Sequence, residues 1–163
     1  RISVRRSDGL NALQKNEVST ICMCGMGGKT MAEILRRGRV VWATAERLVL
    51  QPQGMECAVR SVMVEAGWDC VDGALVEDRG KLFVVEAWQP VDETSTWSKL
   101  DYQWGRRIRA LPDPLFGDWL MRELAKVDYA LQQMKGANVL DGPDAIAAEG
   151  ERATIMEELR RLQ

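Results

Sequence analysis

The chain has 163 residues and a net charge of −2, with 28% charged and 46% hydrophobic residues. This composition is typical of a soluble globular protein, and the length suffices for one α/β domain plus an appendage. The sequence contains no histidine, which excludes histidine-based acid–base catalysis, Ser-His-Asp triads and His-containing metal sites. No apolar run reaches the roughly 18 residues of a membrane helix, and no signal peptide is visible. We therefore expect no metal, no membrane association and a cytoplasmic location.

The first residues predict a strand that is already under way. Ile2 and Val4 alternate with polar residues, and the chain begins at Arg1 without a methionine. These features predict a fragment of a longer protein. Residues 7–10 then predict a turn, followed by a short helix that ends near Asn16.

A buried strand is predicted over residues 18–24, and it leads directly into a glycine-rich turn. Gly25, Gly27 and Gly28 permit positive φ and let a ligand approach the backbone closely. A helix follows, with Gly38 as its predicted C-cap, and its free N–H groups favour anionic or carbonyl ligands. This turn is the first candidate binding site.

The four cysteines lie in apolar strand or helix patterns, without the spacing of zinc or redox sites. Cys22 and Cys24 are two residues apart, so they share one face of the strand. Core packing is the predicted role of all four cysteines, which are Cys22, Cys24, Cys57 and Cys70.

The next unit repeats the order of strand, turn and helix. A short strand over residues 47–51 stops at Pro52. A helix then runs from Gly54 to Gly67, and Gly67 stands where a left-handed C-cap belongs.

A β-hairpin is predicted after this helix. Its strands cover residues 69–77 and 82–88, and residues 78–80 form the tight turn with a glycine for positive φ. Strand–turn–helix units followed by an antiparallel hairpin predict an α/β, doubly wound sheet with an antiparallel edge, within a domain of residues 1–90.

Composition changes after residue 90. Residues 91–113 are polar and aromatic and predict a linker, whereas residues 114–163 predict an α-helical hairpin. Apolar residues recur there in steps of three and four, as in a coiled coil. They are Leu120, Leu124, Val127, Leu131, Met134, Ile155, Leu159 and Leu162.

The glycine turn has two interpretations from its residues alone. Gly28-Lys29-Thr30 ends like a P-loop, but that motif needs a glycine five positions before Gly28, where Met23 stands. It also needs an acidic residue after a later strand, where Gln51 stands. A deviant P-loop nucleotide binder is therefore the less favoured alternative, and a plain connecting turn is another.

Several segments, in their order and spacing, point to one family. The segments are Asp8-Gly9-Leu10, Gly25-Met26-Gly27-Gly28, Leu50-Gln51-Pro52, Glu77-Asp78-Arg79-Gly80-Lys81 and Tyr102-Gln103-Trp104-Gly105. Over nearly the whole chain they resemble the bacterial tRNA (adenine(22)-N1)-methyltransferases of the TrmK type. The resemblance implies an S-adenosylmethionine-dependent enzyme that methylates adenine N1 in tRNA. It also implies a Rossmann-like class I methyltransferase sheet followed by a C-terminal coiled-coil domain that helps to hold tRNA.

The resemblance also assigns site residues. It implies that Asp8 accepts a hydrogen bond from the cofactor's adenine amine, with Gly9, Leu10 and Gly25 alongside. It implies a methyl-transfer pocket at residues Gly25, Met26, Gly27, Gly28 and Gln51. For Gln51, a hydrogen bond to the base and a strand-end cap are equally open, and Lys29 either meets phosphate or is simply solvated.

A basic cluster is the candidate RNA contact. Arg106, Arg107 and Arg109 suit phosphate, and Tyr102 and Trp104 suit stacking on exposed bases. The alternative is a solvated charged surface beside a partly buried aromatic pair.

The chain departs from the family at its start. The family's cofactor-binding glycine loop and the acidic residue of its second strand have no counterpart in this sequence. The resemblance therefore predicts an incomplete sheet without its first strands, in an N-terminally truncated form with impaired S-adenosylmethionine binding. The alternative function is a catalytically silent α/β module that binds RNA or protein through its helical hairpin.

Overall fold

The protein folds as two compact units, Arg1–Leu111 and Pro112–Gln163. The computed structural model describes residues 2–93, 95–110, 114–137 and 142–163. In the first unit the elements are β1 (Thr20–Met26), α1 (Gly28–Trp42), β2 (Arg47–Pro52), α2 (Glu56–Glu65), β3 (Trp68–Asp78), β4 (Lys81–Pro90), α3 (Lys99–Trp104) and α4 (Arg106–Ala110). The second unit contains α5 (Pro114–Gly136) and α6 (Pro143–Arg161).

The first unit is built on a mixed four-stranded sheet with the order β1-β2-β4-β3. β1 and β2 are parallel, and β4 is antiparallel to both of its neighbours, β2 and β3. The β3–β4 hairpin turns at Arg79 and Gly80, whose φ angles of 48° and 75° are those of a tight primed turn. The predicted α/β sheet with a hairpin at its edge is therefore confirmed.

The two faces of β1 have different environments. Ile21 and Met23 are buried and join the core with the apolar residues of α1 and α2. Cys22 and Cys24 point to the opposite face and are exposed, because successive side chains on a strand alternate. The predicted core packing of all four cysteines is wrong, since among them only Cys70 is buried.

Two helix boundaries differ from the prediction. α1 continues past Gly38, where a Cβ would lie 2.9 Å from Leu10 Cδ1. Gly38 therefore makes room for the Leu10 side chain, which packs against α1, and it is not a C-cap. α2 begins after Gly54 and Met55, because both have left-handed φ angles of 80° and 56°. The predicted left-handed residue after α2 is confirmed at Gly67, with a φ of 81°.

Aromatic pairs join the elements of the first unit. Trp42 of α1 meets Trp68 of β3 edge-to-face with ring centroids 5.3 Å apart. Trp88 of β4 stacks on Trp97 at 5.4 Å. Trp97 Nε1 also donates to Asp69 Oδ1 at 3.1 Å, so the segment before α3 is fixed to the sheet.

Part of the segment predicted as a linker is helical, since α3 and α4 lie within it. Trp104 of α3 and Ile108 of α4 are buried, and the division of the chain into two units places both helices in the first. α3 begins at a capping box, in which Asp101 N donates to Ser98 Oγ at 3.2 Å and Ser98 N donates to Asp101 Oδ2 at 2.9 Å.

The second unit is an antiparallel helical hairpin, as predicted. Arg152 of α6 donates to Asp128 of α5 at 2.6 Å, and a Cβ on Gly117 near the start of α5 would lie 4.0 Å from Leu162 after α6. Among the described residues of this unit, Glu158 and five apolar side chains are buried. The apolar ones are Phe116, Leu120, Val127, Ala145 and Ile155. The coiled-coil seam itself stays a prediction.

Some predicted features fall outside the described residues. They include residues 111–113 of the predicted linker and residues 138–141 of the connection between α5 and α6. In the part of the chain that the structure describes, no helix has both the length and the apolar character needed to cross a membrane.

Candidate functional site

The candidate site lies where the parallel strands β1 and β2 reach their carboxyl ends, the edge of an α/β sheet at which ligands bind. Gly25 has a φ of 78° and interrupts the register of β1 against β2. Its N–H donates to Gln51 Oε1 at 2.8 Å, and Gln51 Nε2 donates to the Pro52 carbonyl at 3.2 Å. Both ends of the Gln51 amide are therefore held by the backbone.

Two further hydrogen bonds join the segments that follow β1 and β2. Gln53 N donates to the Met26 carbonyl at 2.8 Å, and Gly28 N donates to the Gly54 carbonyl at 3.0 Å. A Cβ on Gly28 would overlap the carbonyl oxygens of Gly54 and Met55. We call residues 25–28 and 51–55, linked in this way, the paired glycine loops.

The glycines of this stretch have different roles. Gly25 and Met26 belong to β1 and not to the predicted turn. At Gly25 and Gly27 an added Cβ would meet nothing within 4 Å, so their backbone faces open space. Gly28 is buried and serves the packing of one loop on the other. The open part of the predicted pocket is therefore at Gly25 and Gly27.

The Asp8-Gly9-Leu10 segment is docked on α1. Leu10 is buried against Gly38, and Gly9, with a φ of 59°, lies close to Ile34. Asp8 is exposed, and one of its carboxylate oxygens accepts from Arg37 at 3.3 Å. The structure thus fixes the backbone of this segment and leaves the carboxylate of Asp8 in solvent. No described hydrogen bond or ion pair links it to the paired glycine loops.

The aromatic residues of the predicted RNA contact are packed within the first unit. Trp104 is buried, so its ring is not available for stacking on a base in this structure. The Tyr102 ring lies against Trp97 with centroids 5.4 Å apart. Arg106 is partly exposed and lies 3.5 Å from an Asp69 carboxylate oxygen.

The other two arginines of the cluster also make internal contacts. Arg107 donates from Nε to the Cys70 carbonyl at 2.9 Å, although the residue as a whole is exposed. Arg109 donates to Asp101 at 2.7 Å, and its side chain is only 19% exposed. The cluster therefore holds α3 and α4 on the sheet, a role that the run of arginines did not indicate.

A buried ion pair beneath this segment was missed by the sequence analysis. Arg60 of α2 is fully buried and donates from Nε to Glu86 Oε1 at 2.9 Å. The same guanidinium donates to the carbonyls of Tyr102 and Gln103 at 3.0 and 2.9 Å. Burial raises the pKa of Glu86, against the opposing effect of the Arg60 charge. In the sequence, Arg60 and Glu86 each stand within an otherwise apolar stretch, and this placement is the signal that could have indicated a buried pair.

The backbone at the end of α3 is shaped to fit this pair. Gly105 has a φ of 86°, and a Cβ there would lie 2.6 Å from Glu86 Oε1.

Among the described residues no group of three or more potential metal ligands occurs.

A comparison with protein families settles which group this arrangement belongs to. The family model described as "TrmK: tRNA (adenine(22)-N(1))-methyltransferase" matches residues 1–158. The chain belongs to this family. The family consists of S-adenosylmethionine-dependent methyltransferases, so the predicted family and its cofactor class are confirmed.

Individual relatives agree with this assignment. The tRNA (adenine(22)-N(1))-methyltransferase of Bacillus subtilis is 31% identical over 107 residues, which are 66% of this chain and 45% of that protein. A candidate tRNA (m1A22) methyltransferase of Streptococcus pneumoniae, solved in complex with S-adenosyl-L-methionine, is 27% identical with a TM-score of 0.85. That match covers 98% of this chain and 69% of the solved one.

A third relative is informative about the fold alone. A Listeria monocytogenes protein of 21% identity superposes with a TM-score of 0.88 over 95% of this chain and 69% of its own. The Rossmann-like α/β fold is therefore confirmed. The aligned part of the chain spans less than half the length of the Bacillus subtilis relative. The P-loop alternative gains no support, because the Gly25 N–H is already bonded to Gln51.

Proposed function

We propose that the protein catalyses S-adenosylmethionine-dependent methylation of adenine N1 in tRNA, with the paired glycine loops forming the base of the methyl-transfer pocket. The observation that carries the proposal is the Gly25–Gln51 hydrogen bond beside open backbone at Gly25 and Gly27. This feature stands at the carboxyl end of β1 and β2, in a chain that matches the family over residues 1–158. A cytoplasmic location follows from the proposed tRNA substrate.

The residues present fit the proposed cofactor. The exposed Asp8 carboxylate can accept from an exocyclic amine, while Gly9 and Leu10 are held in place by their packing on α1. Open backbone at Gly25 fits the close approach of a ligand, because no side chain of the protein occupies that space. When bound, the cofactor supplies an electrophilic methyl group on a sulfonium centre. The Streptococcus pneumoniae relative supports this proposal, since it was solved with S-adenosyl-L-methionine.

The reaction needs alignment more than a strong base. Adenine N1 carries a lone pair, so orientation and exclusion of water account for most of what the protein must supply. The lack of histidine is compatible with this chemistry. Because base pairing hides N1, the target nucleotide must be unpaired or turned out of its stack to reach the loops.

In this proposal Gln51 is a positioning residue. Its amide oxygen holds the Gly25 N–H and its amide nitrogen is bonded to the Pro52 carbonyl, so it fixes the conformation of the loop on which the base rests. Met26 is half-buried and packs against the core, which anchors the same loop from below. An RNA contact was predicted for the residues around α3 and α4. In this proposal only Arg106 and Arg107 remain candidates for it, because their side chains keep substantial exposure to solvent.

The test compares two neighbouring glutamines. Gln51→Ala removes the bond to Gly25, whereas the exposed Gln53 contributes only its backbone N–H to the loops. We expect Gln51→Ala to lower kcat/KM for methyl transfer to unmodified tRNA by roughly ten- to a hundred-fold, because small misplacements at a reacting centre are costly. Gln53→Ala should stay within about three-fold of the unsubstituted protein, inside the scatter of neutral surface changes.

The assay uses radiolabelled S-adenosylmethionine and maps the modified base by primer extension. Native kcat/KM in Gln51→Ala would contradict the positioning role. Methylation at a position other than adenine N1, or none by the unsubstituted protein, would overturn the proposed function.

A further inference from the structure

The charge of this protein is distributed very unevenly along the chain. Residues 1–47 contain nine Lys or Arg and four Asp or Glu, a net charge of +5. Residues 48–163 contain 13 Lys or Arg and 20 Asp or Glu, a net charge of −7. The total of −2 therefore conceals a strongly basic first segment, which creates a local positive potential.

α1 carries much of this positive charge on its exposed side. Lys29, Arg36 and Arg39 are exposed, and no described hydrogen bond or ion pair engages their side chains. Arg36 follows Lys29 by two helical turns, about 10.5 Å, and Arg39 follows one turn later. We call these three residues the basic face of α1. Glu33 is the acidic residue of this helix.

The neighbouring charges are arranged differently. Arg37 is paired with Asp8, and Arg5 is paired with Glu17, so these cations are already partly neutralised within the unit. The basic face is the part of α1 whose positive charges lack a protein partner among the described residues.

We propose that the basic face of α1 binds phosphates of the tRNA backbone. This inference rests on the proposed function, which makes tRNA the partner. α1 begins at Gly28, in the paired glycine loops, so the face extends directly from the candidate pocket along one helix. The planar guanidinium of an arginine can donate two parallel hydrogen bonds to the oxygens of one phosphate. Arg36 and Arg39 are therefore suited to this contact.

Two other surfaces offer less unpaired positive charge to attract RNA. In the arginine cluster, Arg106 and Arg109 are paired with the carboxylates of Asp69 and Asp101 within the first unit. The helical hairpin, residues 112–163, contains six Lys or Arg and ten Asp or Glu, a net charge of −4. Long-range attraction of a polyanion therefore comes from the first segment of the chain.

The test neutralises two arginines of the face and compares them with a matched pair. The variant is Arg36→Gln with Arg39→Gln, and the control is Lys135→Gln with Arg160→Gln on the exposed sides of α5 and α6. Glutamine has nearly the helix propensity of arginine and lysine, so all helices should persist, which circular dichroism verifies. Dissociation constants for unmodified tRNA are measured between about 50 and 200 mM salt.

We expect the Arg36/Arg39 variant to bind tRNA roughly ten-fold more weakly at about 50 mM salt and to reduce the slope of log K against log salt by about 2. The control pair should change Kd by less than about three-fold. The proposal is overturned if the Arg36/Arg39 variant binds tRNA as the unsubstituted protein does, or if the control pair weakens binding equally.

Kinetic measurements of methyl transfer distinguish a failure of this inference from a failure of the proposed function. Saturating tRNA should restore the kcat of the Arg36/Arg39 variant while KM stays raised, because the face does not touch the reacting atoms. If tRNA binding shows the expected loss but the unsubstituted protein transfers no methyl group, the proposed function fails and the basic face stands as an RNA contact.

Discussion

At the scale of single residues, the most consequential side chain is Arg60. Its guanidinium joins the Glu86 carboxylate to the carbonyls that end α3, and Gly105 leaves room for both side chains. A buried charge is tolerated only when it is paired and hydrogen-bonded. The Arg60 guanidinium therefore links α2 to the sheet and to the segment after residue 98.

Arg60→Met should destabilise the first unit by about 3 to 5 kcal/mol, because Glu86 is left buried and unpaired. The double variant Arg60→Met with Glu86→Leu should recover most of this loss, since no buried charge remains. Urea unfolding followed by tryptophan fluorescence measures both values, with the exposed Arg47→Met as the control.

The loss in Arg60→Met should also depend on pH. The pKa of Glu86 is raised in the folded protein by burial, and removing Arg60 removes the main opposing effect. The neutral carboxyl is then favoured in the folded state, so the destabilisation is smallest below the ordinary pKa of 4.5 and grows as the pH rises through the raised pKa. A loss that is constant between acid and neutral pH would contradict this explanation.

At the scale of elements, Gly27 and Gly28 of the paired glycine loops have two different roles. Gly28→Ala should destabilise the protein by about 1 to 3 kcal/mol, because its Cβ would overlap the carbonyls of Gly54 and Met55. Gly27→Ala should leave stability nearly unchanged, since its Cβ meets open space and its φ of −61° suits alanine.

Gly27→Ala is expected instead to weaken ligand binding, because its methyl group enters the open part of the pocket. Unfolding free energies and methyl-transfer rates of the two variants provide the comparison. Equal stability losses at Gly27 and Gly28 would show that both glycines serve packing.

Much of the element order could be predicted because local patterns determine it. β2, α2 and the hairpin follow from alternation, a proline stop and glycines with positive φ at residues 67 and 80. α3 and α4 could not be predicted, since their anchors are long-range: Arg60 and Asp69 lie far from them in sequence. The same reasoning applies to the arginines after residue 105, whose partners on the sheet only the fold reveals.

The site was predictable to a similar extent. The family resemblance implied that Gly25 and Gln51 line one pocket, which stays a prediction, and the structure joins the two residues by a hydrogen bond. The separate roles of Gly27 and Gly28 depend on what stands opposite each of them, which no local pattern contains.

At the scale of the whole molecule, the sheet of the first unit has two unlike faces. α1 and α2 pack on the face that carries Ile21 and Met23, whereas Cys22 and Cys24 are exposed on the other. Burial raises the pKa of the Cys70 thiol and keeps it protonated.

Thiol labelling at about pH 8 should therefore modify the three exposed cysteines quickly and Cys70 only after unfolding. Peptide mapping by mass spectrometry after a short exposure to iodoacetamide identifies the sites. Protection of Cys22 and Cys24, with labelling of Cys57 as the internal reference, would show that something covers this face of the sheet in solution.

The tryptophan pairs that join the elements of the first unit also make the two units optically distinct. Five of the six tryptophans belong to residues 1–111, and Trp119 on α5 is the sixth. Indole emission therefore reports almost entirely on the sheet unit, whereas far-ultraviolet ellipticity weighs the long helices α5 and α6 heavily. Recording both signals in one titration resolves the unfolding of each unit without any label, and non-coincident curves measure their thermodynamic independence.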